Sequence, residues 1–279
     1  MLTVKQVFDL GLKLGVAADP RGPNGVAEYL AQSKKEYENL KPKDKLYFDK
    51  ERLENPYADS RIQVDDGKTL VKRVLTGIDM ESGEVLLASQ LGERGKKIDL
   101  IIAHHPIGLS YAALNDVMDM LAEQLIKAGL PVHVAEKIIE ERIQEVGRRL
   151  HPINHYQLVD LAKLLQVNFI NTHTFTDNLV AKYLENYLAK KKPRVLEDVL
   201  DMLLEIPEYQ EAKKQGMGPG IFAGSLKHRV GKYLVEMTGG TEPGSKVYKE
   251  LSNYGISTII GMHMKDESRK LANESNMNV

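Results

Sequence analysis

Two adjacent histidines follow a short apolar run near the middle of the chain. Residues 98–103 have the length and the Ile and Leu content of a buried strand. Pro106 cannot donate to a sheet ladder, so strand pairing is expected to stop before it. His104 and His105 should therefore lie at the carboxyl end of a strand, where open α/β sheets place their ligands. Because neutral imidazole is a common ligand of transition metals, the pair predicts a metal site, with the polar start of a loop as the alternative.

A second predicted strand also ends in residues that can bind metals. Residues 167–171 form a short apolar run that leads into His173, and the carboxylate of Asp177 follows four positions later. Two strands that end in such residues are more informative than either strand alone. A carboxylate can bridge two cations and offset their charge, which an imidazole cannot do. The two segments together favour a divalent-cation site.

The composition limits the ligands and the partners. The 279 residues include 38 Lys and Arg against 39 Asp and Glu, a formal net charge of −1, which gives no electrostatic case for binding nucleic acid. Cysteine is absent, so a metal must take nitrogen and oxygen ligands from His, Asp and Glu. No apolar signal core or bilayer-length apolar stretch is present, and we expect a cytoplasmic protein without a membrane partner.

Regular alternation of strands and helices must position the histidines. Residues 71–78 predict a strand that ends at Asp79, residues 83–94 predict a helix capped by Ser82, and residues 98–103 form the next strand. This order predicts a parallel pair with a right-handed crossover, so both strands end at one edge of the sheet. Asp79 is then expected near the two histidines, as a ligand or a hydrogen-bond partner. An Asp at a strand end also commonly caps the following helix, and that alternative stays open.

Two further segments of the N-terminal half bear on the site. Residues 41–66 predict an irregular stretch marked by turns. His151 and His155 are four apart, a spacing that can chelate a metal on a helix face. Pro152 instead favours a loop here, with Asn154 as the cap of a following helix.

The C-terminal part predicts a further strand–helix–strand unit. A strand over residues 229–237 leads into Thr238, Gly239 and Gly240, and a helix follows. A Gly-Gly turn between a strand and a helix can expose backbone N–H groups to an anion. Such a turn is also an ordinary connection, so the anion site is one of two interpretations.

The order of these motifs resembles the NGG-interacting-factor-three-like family, whose members are also described as GTP cyclohydrolase 1 type 2 homologues. The matching features are the His-His-Pro segment after a buried strand, the segment from His173 to Asp177, which is similar to the family's HTxxD motif, and the Thr-Gly-Gly turn. The resemblance covers most of the chain from about Val71 onward. It implies an α/β fold, a dinuclear metal centre and homo-oligomers, from dimers to ring-shaped hexamers.

The resemblance also implies roles for individual residues. His104 and His105 would be ligands of two divalent cations (Zn, Fe, Mn or Co), and Asp177 would be the bridging or shared carboxylate. His173 matches the first position of its motif and would lie close to the metals.

The last ligands of the family come from a glycine-histidine motif with a glutamate four residues later. His263 and Glu267 have that spacing. Their context also resembles an earlier segment of the family, and in that register the final ligand strand would follow Val279. A second departure is the stretch over residues 20–66, which lacks the family's glycine-rich opening and indicates a divergent branch.

These observations predict an α/β protein with mixed or parallel sheets flanked by helices. Two similar lobes, residues 1–190 and 191–279, would hold the metal site between them. The function predicted is that of a metal-dependent hydrolase that acts on a nucleotide or another phosphorylated small molecule, with the Thr-Gly-Gly turn as the anion cradle. The alternative is a metal-binding or regulatory oligomer without catalytic activity.

Overall fold

The computed structural model describes residues 1–279 and has a mixed α/β fold, as the sequence predicted. The strands are β1 Ser60–Val64, β2 Val74–Gly77, β3 Leu100–Ala103, β4 Phe169–Thr172, β5 Tyr233–Glu236 and β6 Thr258–Gly261. The helices are α1 Val4–Ala18, α2 Gly22–Asn39, α3 Pro42–Lys45, α4 Ser82–Glu93, α5 Gly108–Ala112, α6 Asp119–Ala128, α7 Val132–Leu150, α8 Gln157–Leu164, α9 His173–Lys191, α10 Leu196–Leu203, α11 Pro207–Lys214, α12 Val247–Asn253 and α13 Asp266–Glu274. Short 3-10 turns occupy Lys50–Leu53 and Leu114–Val117. None of the helices combines the length and the apolar character needed to cross a bilayer.

The chain divides into two compact units. Unit 1 comprises residues 1–120 and 143–179, and unit 2 comprises residues 121–142 and 180–279. The sequence predicted two lobes, residues 1–190 and 191–279. In that prediction residues 121–142 were part of the N-terminal lobe, whereas in the structure they belong to unit 2. That segment makes contacts in unit 2, since Gln124 Nε2 donates to the Thr238 carbonyl at 3.3 Å and Arg142 Nε donates to the Glu242 carbonyl at 3.2 Å.

Unit 1 is built on a four-stranded sheet in the order β1-β4-β3-β2. Strands β2 and β3 are parallel, with a register that runs from Val74 opposite Leu100 to Gly77 opposite Ala103. Helix α4 connects them, which confirms the predicted parallel pair. Strand β4 is parallel to β3 on its other side, so β2, β3 and β4 all end at the same edge of the sheet.

The prediction of an irregular stretch over residues 41–66 was wrong. Strand β1 lies within it and pairs antiparallel with β4, with Ser60 opposite Thr172. Strand β1 has only five residues, and the strand with which it pairs is more than a hundred positions away in the sequence. No local pattern reveals such a long-range ladder.

Two predicted helix caps were also wrong. Helix α4 begins at Ser82, and its N-cap is Glu81, whose backbone N–H donates to Glu84 Oε2 at 2.8 Å. Helix α8 begins at Gln157 with Tyr156 as N-cap, and no side chain caps it. Helix α4 thus includes the residue that was expected to cap it, whereas α8 begins after Asn154.

Close packing fixes the start of helix α9 in unit 1. Phe175 is buried in a core cluster with Phe8 and Tyr57, and its ring contacts the Phe8 ring edge-on at 5.5 Å. Gly15 of α1 approaches so closely that a Cβ there would lie 2.3 Å from the Phe175 Cβ. The first turn of α9 is therefore clamped against α1, which leaves little freedom to the polar residues on either side of Phe175.

Unit 2 contains a parallel two-stranded sheet, β5-β6, connected through α12. Its register runs from Tyr233 opposite Thr258 to Glu236 opposite Gly261. Asn278 forms a parallel bridge to Thr258 on the other side of β6. The core of this unit is apolar, with Leu184, Leu188, Leu196, Val199, Leu203, Val230, Val235, Met237 and Ile260 buried together.

Candidate metal centre

The two adjacent histidines extend from the end of β3. The backbone N–H groups of His104 and His105 donate to the carbonyls of Gly77 and Ile78, each at 2.9 Å. The backbone is therefore held in register with β2 for two residues past the strand. The rings sit at the carboxyl edge of the sheet, where the sequence predicted them.

A third histidine joins them from the neighbouring strand. His173 is the first residue of α9 and follows β4 directly, with no intervening loop. Its ring centroid lies 4.9 Å from that of His104 and 5.8 Å from that of His105. One ring nitrogen from each of the three residues lies within 4.8 Å of the others, so the group could hold a metal ion.

Each of the three rings has an acceptor close to its Nδ1. His173 Nδ1 lies 2.8 Å from Asp59 Oδ2, and His105 Nδ1 lies 2.7 Å from Asp79 Oδ1. His104 Nδ1 lies 3.3 Å from Thr176 Oγ1. The Thr176 hydroxyl itself donates to backbone carbonyls, one of them that of His173 at 2.8 Å, so towards the ring it acts as an acceptor.

These contacts decide which ring nitrogen is free to bind a cation. An Nδ1 that faces an acceptor carries the proton, and in the neutral ring the lone pair is then on Nε2. Carboxylates that orient metal-binding histidines in this way also raise the basicity of the ring. The arrangement therefore offers three Nε2 lone pairs at one edge of the sheet.

Asp177 adds a carboxylate to the histidine group. It lies one helical turn after His173 and is buried. Its Oδ1 is 3.4 Å from His104 Nε2, and its Oδ2 is 4.0 Å from His173 Nε2. Two ligands about 2.1 Å from a tetrahedral ion are separated by roughly 3.4 Å, so these spacings suit a shared cation.

Burial controls the charges of this group. Burial raises the pKa of Asp177 to about 7, helped by the nearby Asp59 carboxylate and opposed by His173. Burial also lowers the pKa of His104 to about 4, and the neighbouring imidazoles His173 and His105 act in the same direction. Burial likewise opposes protonation of His173, but the hydrogen bond to Asp59 outweighs it and raises the pKa. A buried carboxylate with a raised pKa is one that a bound cation would return to its ionised form.

The donor set fits a transition metal with nitrogen and oxygen ligands. Three imidazoles and one carboxylate suit Zn, Fe, Mn or Co and are unlike the all-oxygen cages of calcium. His105 is half exposed, whereas His173 and Asp177 are buried. The group is therefore open to solvent on the side of His105.

Asp59 is a residue of this arrangement that the sequence did not predict. Asp59 is fully buried and accepts from His173 Nδ1, from the Thr174 hydroxyl at 2.6 Å and from the Ser60 hydroxyl at 3.2 Å. It comes from the segment that was expected to be irregular. The one signal in the sequence is an acidic residue directly before a short strand, which is too common to single it out.

The other predicted residues have different outcomes. Asp79 lies next to His105 as its hydrogen-bond partner, as expected. His263 and Glu267 belong to unit 2, where His263 is exposed in the loop after β6 and Glu267 lies in the first turn of α13. The histidine group is made by unit 1 residues alone, and the ligand role of His263 and Glu267 stays a prediction.

The predicted anion turn has the expected local geometry. Gly239 and Gly240 have φ angles of 102° and 85°, values that favour glycine, and they follow β5 in unit 2. Thr238 is buried, and its carbonyl accepts from Gln124. No anion partner is identified by these features.

Comparisons with known proteins agree with the fold. The chain is similar to a NIF3 superfamily protein from Sphaerobacter thermophilus whose crystal structure is solved, with a TM-score of 0.69 and 25% sequence identity. The match covers 90% of this chain and 86% of the other. No protein-family model and no curated protein matches the sequence. The structural neighbour carries the family name to which the sequence motifs pointed.

Proposed function

We propose that this chain is a divergent member of the NIF3 superfamily that binds two divalent cations and acts as a metal-dependent hydrolase. The observation that carries the proposal is the convergence of His104, His105 and His173, each with its Nδ1 paired, with the buried carboxylate of Asp177 beside His104 and His173. The fold similarity to a NIF3 superfamily protein supports the superfamily part of this proposal.

The residues of the group would share the work of holding the cations. The Nε2 atoms of the three histidines would be ligands, and Asp177, with one oxygen towards His104 and the other towards His173, would be the shared carboxylate. Asp59 would keep the His173 proton on Nδ1, and Asp79 would do the same for His105. His263 and Glu267 are the candidates for the remaining ligands, from their spacing.

The chemistry follows from the donor set. When bound, divalent cations supply Lewis acidity, which lowers the pKa of water and stabilises negative charge that develops on a substrate oxygen. His105, which is half exposed, would face the substrate, while the buried Asp177 offsets the cation charge. The substrate proposed is a nucleotide or another phosphorylated small molecule, with Thr238, Gly239 and Gly240 as the candidate anion cradle. We further propose a cytoplasmic homo-oligomer, between a dimer and a hexamer.

A non-catalytic metal-binding or regulatory role is the second candidate. It is favoured by the four protein donors of unit 1, since a cation with four protein ligands has no open position. The two roles differ in whether the bound metal keeps exchangeable water. Water proton relaxation with Mn²⁺-loaded protein measures this directly, and exchangeable water favours the hydrolase.

The first test is elemental analysis of the purified protein beside His104→Ala and Asp177→Ala. We expect about two metals per chain in the wild type, lost together in both variants because the cations share Asp177. The control is His133→Ala, an exposed histidine outside the group. A wild type without metal, or variants that retain it, would contradict the site.

A second test addresses the activity. The metal-loaded protein should hydrolyse at least one member of a panel of phosphoesters and cyclic amides, and His105→Ala should abolish that hydrolysis. A metal-loaded protein that hydrolyses none of them would support the non-catalytic role instead.

A further inference from the structure

A cavity of about 360 Å³ lies beside the histidine group in unit 1. His105 and Asp79 form part of its wall. The opposite wall comes from the segment between α7 and α8, including Asn154 and His155. Its volume is within the range of sites that hold small organic molecules. The half-exposed imidazole of the candidate metal centre thus faces a space large enough for a ring-sized group.

The charged side chains of this cavity are acceptors of hydrogen bonds, and the hydroxyls of Ser82 and Tyr111 can donate or accept. The carboxylates of Asp79 and Glu81 line it, and no lysine or arginine does. The amide groups of Asn154 and Gln157 can accept as well as donate. An anionic group would meet two carboxylates and no compensating cation here, which disfavours it electrostatically.

The His155 ring is part of the wall of this cavity. Its Nε2 lies 2.9 Å from the Leu150 carbonyl, which can only accept, so Nε2 carries a proton. The other nitrogen, Nδ1, is buried without a hydrogen-bond partner. Unpaired buried polar atoms are uncommon because each costs desolvation free energy.

The remaining wall is apolar and includes an aromatic ring. Tyr111 packs edge-on against the His155 ring at a centroid distance of 5.5 Å, and Ile107, Ile153 and Leu158 complete this side. A planar ligand group could bury one face against these side chains while its edge meets the acceptors.

We infer that this cavity binds the uncharged or cationic part of a small molecule, a part that has an apolar face and N–H or O–H donors. This inference rests on the proposed function, because it takes the bound molecule to be the substrate of the hydrolase. A phosphoryl group of that substrate is excluded from the cavity and lies outside it. The carboxylates of Asp79 and Glu81 select donors, and the adjacent His105 connects the cavity with the candidate metal centre.

Three probes of similar size and different charge test the inference: benzamidine, benzamide and benzoate. Their binding is measured by saturation-transfer NMR titration of protein treated with chelator, so that no metal attracts the anion. We expect benzamidine and benzamide to bind at least 10-fold more tightly than benzoate. Equal or tighter binding of benzoate, or no binding of any probe at millimolar concentration, would overturn the assignment.

A charge placed in the cavity should reverse the preference. Ile153 is part of the lining and partly exposed, so Ile153→Arg adds a cation in a turn that tolerates it. Benzamidine should lose at least 10-fold in affinity and benzoate should gain. The matched control is Leu164→Arg, which adds the same charge at an exposed position outside the cavity and should leave all three affinities unchanged. An equal effect of both variants would contradict binding in this cavity.

The outcomes separate this inference from the proposed function. If elemental analysis finds the metals but the probes show no preference for donors, the cavity assignment fails and the metal site stands. If the probes bind as expected but the protein retains no metal, the proposed hydrolase fails and the binding cavity remains.

Discussion

The two units contain the same supersecondary element with different chemistry at its end. In unit 1, the parallel strands β2 and β3 flank α4, and in unit 2, β5 and β6 flank α12. Polar residues follow the strands in both. In unit 1 the element leads to the imidazoles of His104 and His105, and the next parallel strand, β4, adds His173 and the buried carboxylate of Asp177. The element in unit 2 leads to the buried carboxylate of Glu242.

The buried carboxylates differ in their partners. Lys265 Nζ lies 2.9 Å from Glu242 Oε1, an ion pair without aligned hydrogen-bond geometry, and the Ser268 hydroxyl donates to Glu242 Oε2 at 3.4 Å. The ion-pair partners of Asp177 are imidazoles, those of His104 and His173. In unit 2 the chain supplies its own permanent cation, whereas in unit 1 it supplies groups that can bind one. The strand–helix–strand element alone therefore does not make a metal site. A metal site also needs a buried carboxylate whose charge no lysine or arginine balances.

The largest effect expected from this difference is stabilisation by metal. At free Zn²⁺ about 100-fold above its dissociation constant, linkage predicts roughly 2.7 kcal/mol of added stability. For a protein of this size that is a rise in Tm of about 5 °C. His173→Ala should lose the rise, while Lys265→Met in unit 2 should keep it. Thermal scans with and without Zn²⁺ measure both, and a rise that survives in His173→Ala would mean that the cation binds elsewhere.

The next effect concerns the residue that orients His173. Asp59→Asn keeps the shape of the side chain but removes the charge behind the imidazole, and loss of such a partner commonly weakens metal affinity about 10–100-fold. Competition with a fluorescent chelator gives the dissociation constant. The control is Asp160→Asn, an exposed carboxylate outside the group, which should leave it unchanged. Wild-type affinity in Asp59→Asn would show that the hydrogen bond to His173 does not matter for binding.

Loss of the cation that pairs with Glu242 in unit 2 should lower the stability of the protein and leave its metal content unchanged. Lys265→Met leaves the buried Glu242 without its cation, and because the lysine is half exposed we expect a loss of about 1–2 kcal/mol, less than for a fully buried pair. The control is Lys270→Met, whose partner Glu274 is 3.9 Å away on the surface and whose loss should cost under about 0.5 kcal/mol. Chemical denaturation measures both. Equal losses would show that Glu242 is no more dependent on its partner than a surface carboxylate.

The smallest effect is on the metal-free protein and depends on pH. The pKa of Asp177 is raised from 3.8 to about 7, so ionisation of this group destabilises the fold progressively as pH rises between those values. Asp177→Asn removes that cost, so the variant without metal should be more stable than the wild type at pH 8. The gain should shrink as pH falls and vanish below about pH 3, where the wild-type carboxyl is protonated in both the folded and the unfolded state. Denaturation at several pH values in chelator tests this, and a difference that does not vary with pH would contradict it.

Several parts of this arrangement were predictable from the sequence. The parallel pair of strands, the crossover helix and the position of His104 and His105 at the strand end follow from short-range patterns of apolar residues and turns. The closeness of Asp79 to His105 follows as well, because two parallel strands joined by one helix end at the same edge.

Other parts depend on contacts between distant segments. Strand β1 pairs with β4, and the adjacent Asp59 contacts His173, which lies 114 positions later in the sequence. No local periodicity of the sequence indicates that pairing. The cavity beside His105 exists because the segment around His155 lies against it, although the same residues were consistent with a simple loop.

The sequence by itself determined which atoms are available: imidazoles and carboxylates after short strands, with no thiolate. Only the tertiary structure decided how they are oriented. Helix α9 begins directly at His173, so Asp177 follows one turn later on the same face, and Gly15 and Phe175 hold that turn in place. The tautomer of each histidine is set by an acceptor that folding brings to its Nδ1. The physical reason is that residue types are local properties, whereas distances between charges and lone pairs arise from packing over the whole unit.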